Sequence, residues 1–359
     1  MLICGIETSC DETAVSFVQA RGGLKNPRFL VLGNVVSSQV KKHAPFGGVV
    51  PLLAAREHSK NIERVFKLAL KQANIDEDPG LIAVTRGPGL MPSLRIGVAF
   101  ARSLSYFSKI PVLGVNHLEG HMYANLLAPM EQQSQAQIEF PAVSLVISGG
   151  HSDLYVLKNY GFATQVGQTH DDAVGECFDK VARLLGLGYP GGPVIDKLGQ
   201  QGNAFAYEFP SPMIYAKNFD FSFSGLKTAM LYFLRDNKLD FNSKHLSAKQ
   251  EQRRKDICAS FERAAAKVLV AKTLRCADKE KAKTVIIGGG VAANSYIRSA
   301  FEAAGKEQGF LGKILFPNKG YITDNAAMIA VAGYIAHMRG DRSSWKTLEP
   351  EANLKVSES

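Results

Sequence analysis

Two stretches of this chain, far apart in number, follow one plan. Ile6-Glu7-Thr8-Ser9-Cys10-Asp11-Glu12-Thr13-Ala14 and Val146-Ile147-Ser148-Gly149-Gly150-His151-Ser152-Asp153-Leu154 each pass from an apolar strand through a small polar turn into a second strand. The pattern around the first begins with strands over 2–6, 14–18 and 29–36. A helix follows, with Ile62, Val65, Phe66, Ala69, Leu70 and Ala73 at helical spacing, then a strand over 81–85, a helix over 93–107 and a strand over 111–115. The second restarts with strands over 142–147 and 153–157. A degenerate duplication of this kind predicts an α/β chain of two similar lobes facing a cleft, with a polar turn from each lobe meeting in it. Residues 1–110 are expected to form the first lobe, completed by a helix over 325–340, and residues 111–324 the second, with insertions.

The turns carry a hint about ligands. Small residues leave backbone N–H groups free to cradle phosphate. A third strand–glycine–helix unit, Thr284 to Asn294 with Gly288-Gly289-Gly290 at its turn, would let a flat ligand such as a nucleotide lie against backbone at a helix N-terminus. It lacks the Gly-x-Gly-x-x-Gly spacing of dinucleotide sites, and the chain has no Gly-x-x-x-x-Gly-Lys-Ser/Thr loop. Asp179 and Asp196 would each sit beside a glycine turn, where a carboxylate either accepts from ribose or amine donors or caps a helix.

Composition narrows the class. A chain of 359 residues, 46% hydrophobic and 21% charged, has the make-up of an ordinary globular protein of about two domains. No apolar run approaches the ~18 residues of a membrane span, and the uncharged stretch near the end reads as a packed Ala-rich helix. The sequence starts almost directly on a strand, so no signal peptide is expected. Five scattered cysteines without a Cys-x-x-Cys argue against a disulfide framework or a cysteine zinc site and for a reducing, cytoplasmic setting. The net charge of +9 favours a polyanionic partner, nucleic acid first. The densest basic runs, over 253–255 and 279–283, have acidic neighbours and read as solvated helix faces.

The sharpest chemical signal is Asn116-His117-Leu118-Glu119-Gly120-His121, between the strand over 111–115 and a helix expected over 122–128. Residues four apart share one helix face, so the two imidazoles can bind one divalent metal, and neutral imidazole suits zinc or iron. A third ligand must come from elsewhere. Asp324, in Thr323-Asp324-Asn325-Ala326, is the best carboxylate candidate, although an Asp at the start of a helix more often caps it.

Together these motifs closely resemble the threonylcarbamoyl-adenosine tRNA transferases. The resemblance rests on residues 5–13, Gly47-Gly48-Val49-Val50-Pro51, Gly87-Pro88-Gly89-Leu90, the His117–His121 pair and Ser148-Gly149-Gly150-His151. It continues through residues 171–180, 188–192, 221–227, 288–294 and 323–327, in order along nearly the whole chain. The turn around Pro190-Gly191-Gly192 is most similar to the bacterial branch. Two departures stand out: Met91-Pro92-Ser93-Leu94-Arg95, where relatives carry small residues, and a tail after Trp345 without the short aromatic-proline ending.

The resemblance implies the actin-like ATPase fold, two ribonuclease-H-like lobes around a nucleotide cleft. It implies that His117, His121 and Asp324 bind one catalytic divalent metal, iron in preference to zinc. It also implies that Val146, Ile147, Ser148, Gly149, Gly150, Asp179, Gly192, Asp196 and Asn294 bind threonylcarbamoyl-AMP. The implied reaction moves the threonylcarbamoyl group to N6 of the adenosine 3′ of the anticodon, in tRNAs reading codons that start with A. The implied partners are tRNA, an inactive paralogue and a small ATPase, with no membrane.

Two rivals predict different things. An actin-like ATP-binding module would have the same cleft but no need of the His–His–Asp set. A metalloprotease needs Glu beside its first His, whereas Glu119 is two residues on, roughly 200° around the helix.

Overall fold

The computed structural model describes residues 1–128, 136–243 and 245–356, and these divide into two compact units. The first gathers the described residues of Met1–Ile138, Leu157–Thr164 and Pro317–Ser359. Its centre is β1 (Leu2–Glu7), buried along its whole length. Antiparallel β2 (Glu12–Arg21) pairs with one edge of β1, and β3 (Arg28–Ser38) pairs antiparallel with β2. After the short α1 (Val40–His43) comes α2 (Pro51–Ala73), which buries Ala54, Ile62, Val65 and Ala69 at helical spacing. It stops at Asn74, whose φ of 47° is left-handed.

Parallel pairing takes over on the other edge. β4 (Leu81–Gly87) lies beside β1, α3 (Met91–Ser108) follows, and β5 (Val112–Asn116) pairs with β4. The unusual Met91-Pro92 is absorbed in the first turn of α3, where proline fits because the helix makes no use of its missing N–H.

The expected lobe boundary at 110/111 is corrected here: β5 completes the first sheet, so the described residues up to Ile138 belong to the first unit. The helix expected over 122–128 also starts earlier. The Asn116 side chain accepts from Leu118 N at 2.8 Å and so begins α4 (His117–Tyr123) at the first histidine, with one 3-10 turn, Ala124–Leu126, after it.

The second unit gathers Glu139–Val156 and the described residues of Gln165–Phe316. The second sheet is made of β6 (Ala142–Ile147), β7 (Ser152–Asn159), β8 (Phe162–Gly167), β9 (Thr284–Gly288) and β10 (Lys313–Leu315), of which the end of β7 and the start of β8 fall in the 157–164 segment of the first unit. The helices of the second unit are α5 (Val174–Leu184), α6 (Gly191–Gly199), α7 (Ser224–Asp236), the long α8 (Ala248–Lys279) and α9 (Ser295–Glu307). The sheet order is β8-β7-β6-β9-β10, with β6, β9 and β10 parallel. The first sheet has the order β3-β2-β1-β4-β5, so in both units the first strand is central, the next two lie to one side and the last two to the other. This is the duplication expected from the sequence, expressed as topology.

The chain ends in the first unit with α10 (Ala326–Arg339), buried from Ala326 to Ala336. Glycines set how closely it packs on the sheet. A Cβ on Gly5 would lie 2.1 Å from Ala326 O, and one on Gly333 2.4 Å from Ala83 Cβ.

Candidate functional site

α4 is buried on every side, and its two histidine rings pack edge to face with centroids 4.7 Å apart. Asp324 joins them from the turn before α10. One potential ligand atom from each of His117, His121 and Asp324 lies within 4.8 Å of the others. Asp324 does not cap the helix, contrary to the usual role of an Asp there. Asn325 is the cap, accepting from Met328 N at 3.0 Å, which leaves the Asp324 carboxylate directed to the histidines.

The surroundings decide what each ring can do. His117 Nδ1 lies 2.9 Å from Glu7 Oε2. That carboxylate also accepts from Thr85 Oγ1 at 2.6 Å and from Ser9 N. A carboxylate cannot donate, so Nδ1 carries the proton, and Nε2 is the nitrogen turned toward Asp324, 3.6 Å from its Oδ1. A histidine held by a carboxylate on its far nitrogen is the usual outer support of a metal ligand. Burial alone would depress the His117 pKa, but the charges of Glu7 and Asp324 outweigh it and raise it to about 9. Burial alone would likewise raise Glu7, and His117 overcomes it to hold that carboxyl below its usual range.

His121 is different: burial, aided by the charge of His117, lowers its pKa and keeps it neutral, with Asp324 opposing. Its Nε2 is 3.1 Å from Asp324 Oδ1, yet neither ring nitrogen completes a hydrogen bond among the described residues. The two atoms stand at ion-pair distance, and with His117 they set three potential ligand atoms around one point. Glu12, close by, is pushed well above its usual pKa by burial and by the charges of Asp324 and Asp11. Excess negative charge and an orphaned neutral imidazole fit a divalent cation. Two imidazoles and one carboxylate suit iron or zinc by donor type.

Glu119 is not among these groups. Its carboxylate lies 3.6 Å from the Arg339 guanidinium and is not grouped with the triad, so Glu119 is not placed as the general base of a His-Glu-x-x-His protease.

In the second unit, the residues expected at the adenylate also converge. Val146 is in register with Gly288, so the turns after β6 and β9 lie side by side. They touch at Gly289, whose φ is 90° and where a Cβ would sit 2.3 Å from Ile147 O. Asp179 accepts from Gly191 N at 2.7 Å, and Asp196 accepts from Ser295 N at 3.2 Å. Each carboxylate therefore caps, but caps the first turn of a neighbouring helix rather than its own. Asn294 caps α9 through Ile297 N at 2.9 Å, and its amide nitrogen donates to Glu262.

Four glycines here behave differently from Gly289. A Cβ on Gly149, Gly150, Gly192 or Gly290 would meet nothing within 4 Å among the described residues, and none of the four has a positive φ. Neither packing nor backbone conformation calls for glycine at these points. What they leave is open space against backbone N–H groups.

The sequence reading missed Glu7, Asn325 and Glu262. A carboxylate ending the wholly apolar run over 2–6 was a signal for Glu7, since buried charge needs a partner. Glu262, one turn from Cys258 and from Ala266, falls on the apolar side of α8. Burial, with Asp196 adding to it, raises its pKa to about 8.

Comparison with known proteins finds relatives along nearly the whole chain. The family model for tRNA N6-adenosine threonylcarbamoyltransferase matches residues 30–331. A protein of that name from Thermosipho africanus is 44% identical over 357 residues, 99% of this chain and 100% of its own. Another, from Thermosipho melanesiensis, is 46% identical over 335 residues, 93% of this chain and 94% of its own. The fold resembles that of HypF from T. kodakarensis, with a TM-score of 0.57 at 11% identity, covering 94% of this chain and 47% of that one. It also resembles the activator of 2-hydroxyisocaproyl-CoA dehydratase from Clostridium difficile, with a TM-score of 0.50 at 14% identity over 94% and 95%. These likenesses speak to the two-lobed actin-like architecture alone. By the extent and identity of the sequence matches, the chain belongs to the tRNA N6-adenosine threonylcarbamoyltransferases and is a transferase that modifies tRNA.

Proposed function

We propose that this protein moves the threonylcarbamoyl group from threonylcarbamoyl-AMP to N6 of the adenosine 3′ of the anticodon, in tRNAs reading codons that begin with A. The observation that carries this reading is the convergence of His117, His121 and Asp324 on one point, with Glu7 behind His117. These three residues would hold one divalent metal, iron in preference to zinc. When bound it would supply Lewis acidity.

The remaining chemistry belongs to the chain itself. The open glycine turns at Gly149, Gly150, Gly192 and Gly290 present backbone N–H groups where charge grows on the departing phosphate. Asp179, Asp196 and Asn294 hold the neighbouring helix starts in place, which fixes the backbone donors around the nucleotide. Val146, Ile147 and Ser148 carry the first of these turns on the end of a buried strand. In the transfer, a C–N bond forms between N6 and the carbamoyl carbon. The bond from that carbon to the phosphate oxygen breaks, AMP leaves, and the amine loses one proton. Ser9 Oγ lies 3.3 Å from His117 Nδ1, but that nitrogen carries the proton shared with Glu7 and cannot serve as its base, which favours direct transfer over a covalent enzyme intermediate.

Work on tRNA supports a cytoplasmic setting, and no helix among the described residues is long and apolar enough to cross a membrane. An inactive paralogue and a small ATPase are the proposed companions. The test is a reconstituted assay with purified adenylate, unmodified tRNA, metal and those companions. Modified adenosine and AMP in equal amounts are expected. ATP turnover without modified adenosine would overturn the reading in favour of an ATPase module.

A further inference from the structure

Between α6 and α7 the chain lays a strap, residues 203–218, along α8. Ser260 Oγ donates to Asn203 O at 3.3 Å and Arg263 donates to Tyr207 O at 3.3 Å. Further along, the Arg275 guanidinium donates to the carbonyls of Ala216 and Asn218 at 2.8 and 2.6 Å. Lys272, wholly buried, adds a bond to Asn218 O at 3.3 Å. Met213 in this turn has a φ of 55°, a conformation a non-glycine residue holds only where its surroundings dictate it. The strap is thus fixed at both ends by cations of α8.

What it displays is unusual for so well anchored a segment. Tyr215 is 91% exposed and Phe205 75% exposed. The Arg263 guanidinium lies 4.9 Å from the Phe205 ring centroid, and Tyr215 is followed closely by exposed Lys217. Along its length α8 carries nine Lys and Arg against four Asp and Glu, a large part of the excess charge of the chain, although Lys272 is buried and Arg263 also pairs with Glu208 of the strap. Arg263 and Arg275 are about 18 Å apart along the helix axis, so the two rings are separate platforms rather than one apolar patch. Exposed rings on an anchored backbone, with cations beside them, match single-stranded nucleic acid, whose bases stack on aromatic faces while phosphates meet the cations.

We infer that the strap on α8 is the surface on which this protein holds unpaired bases of its tRNA, with Tyr215 and Phe205 as stacking platforms. The inference rests on tRNA as substrate and extends it to a docking surface. Because the backbone of the strap is already held by α8, binding need not order that segment.

The test is the affinity of the full-length protein for an unmodified tRNA transcript, measured without adenylate or added metal. Tyr215→Leu and Phe205→Leu keep an apolar side chain but remove the ring, and each is expected to weaken binding about 5- to 100-fold. Tyr215→Phe keeps the ring and is expected to stay within about two-fold of wild type. Both positions are exposed, so the melting temperature should not move, and this is measured alongside. Leucine variants that bind tRNA like wild type overturn the inference. So does unchanged tRNA affinity with altered sedimentation, which assigns the rings to a protein interface. Binding lost in the variants while wild type transfers nothing keeps the surface and overturns the reaction instead.

Discussion

At His117 the side chain is committed on both nitrogens, one to Glu7 and one toward Asp324 and His121. His117→Ala or His121→Ala should therefore strip the metal while the protein stays folded, as metal content and circular dichroism would show. Glu7→Gln is the finer probe, since Glu7 is no ligand. Losing its charge should cost about 10- to 100-fold in metal affinity, and unchanged affinity would remove Glu7 from the site. Glu262 makes a prediction of the opposite electrostatic kind. Its folded-state pKa of about 8 lies above the ordinary 4.5, so the folded protein binds a proton that the unfolded chain has released. Stability should then fall as pH rises from 4.5 toward 8, by up to about 1.4 kcal/mol per pH unit from this group. Glu262→Gln should flatten that part of the profile in urea denaturation measured across pH.

At the scale of elements, α10 does two jobs that mutation can separate. Its cap is Asn325 and its contribution to the site is Asp324. Asn325→Ala should cost about 1 kcal/mol of stability and leave most of the metal in place. Asp324→Ala should lose the metal with little change in apo stability. The same helix depends on close approach at Gly333, where a Cβ would overlap Ala83. Gly333→Ala should destabilise by about 1–3 kcal/mol, and because the shift moves Asp324, metal affinity should fall with it. A Gly333→Ala protein with wild-type metal affinity would mean that the site does not depend on the seating of α10.

For the molecule as a whole, charge and sites together set the expected behaviour. Attraction between a chain of net charge +9 and tRNA should weaken steeply with salt, and the slope of log affinity against log salt measures the phosphates engaged. The transfer itself should proceed without ATP hydrolysis, because the chain has no P-loop lysine and serine to drive phosphoryl transfer. Radiolabelled phosphate release during a single round of transfer checks this directly.

Much of this was legible in the linear chain because it is local. Strand periodicity and the repeated polar turns foretold two like sheets, and the spacing of His117 and His121 fixed one helix face before any coordinates. The motif around Ser148-Gly149-Gly150 likewise announced an open turn at a strand end. What only the tertiary structure decided depends on neighbours distant in sequence. Whether Asp324 or Asn325 caps α10 follows from one side chain excluding the other, whether β5 joins the first sheet from pairing with β4 across a whole intervening helix, and which histidine is supported by Glu7 from a contact across more than a hundred residues. Asp179 and Asp196 could have capped their own helices or faced a ligand, and the fold turned both toward other helices' first turns. Periodicity is written in each residue and its near neighbours; the partner of a buried charge is chosen by whatever the fold brings beside it.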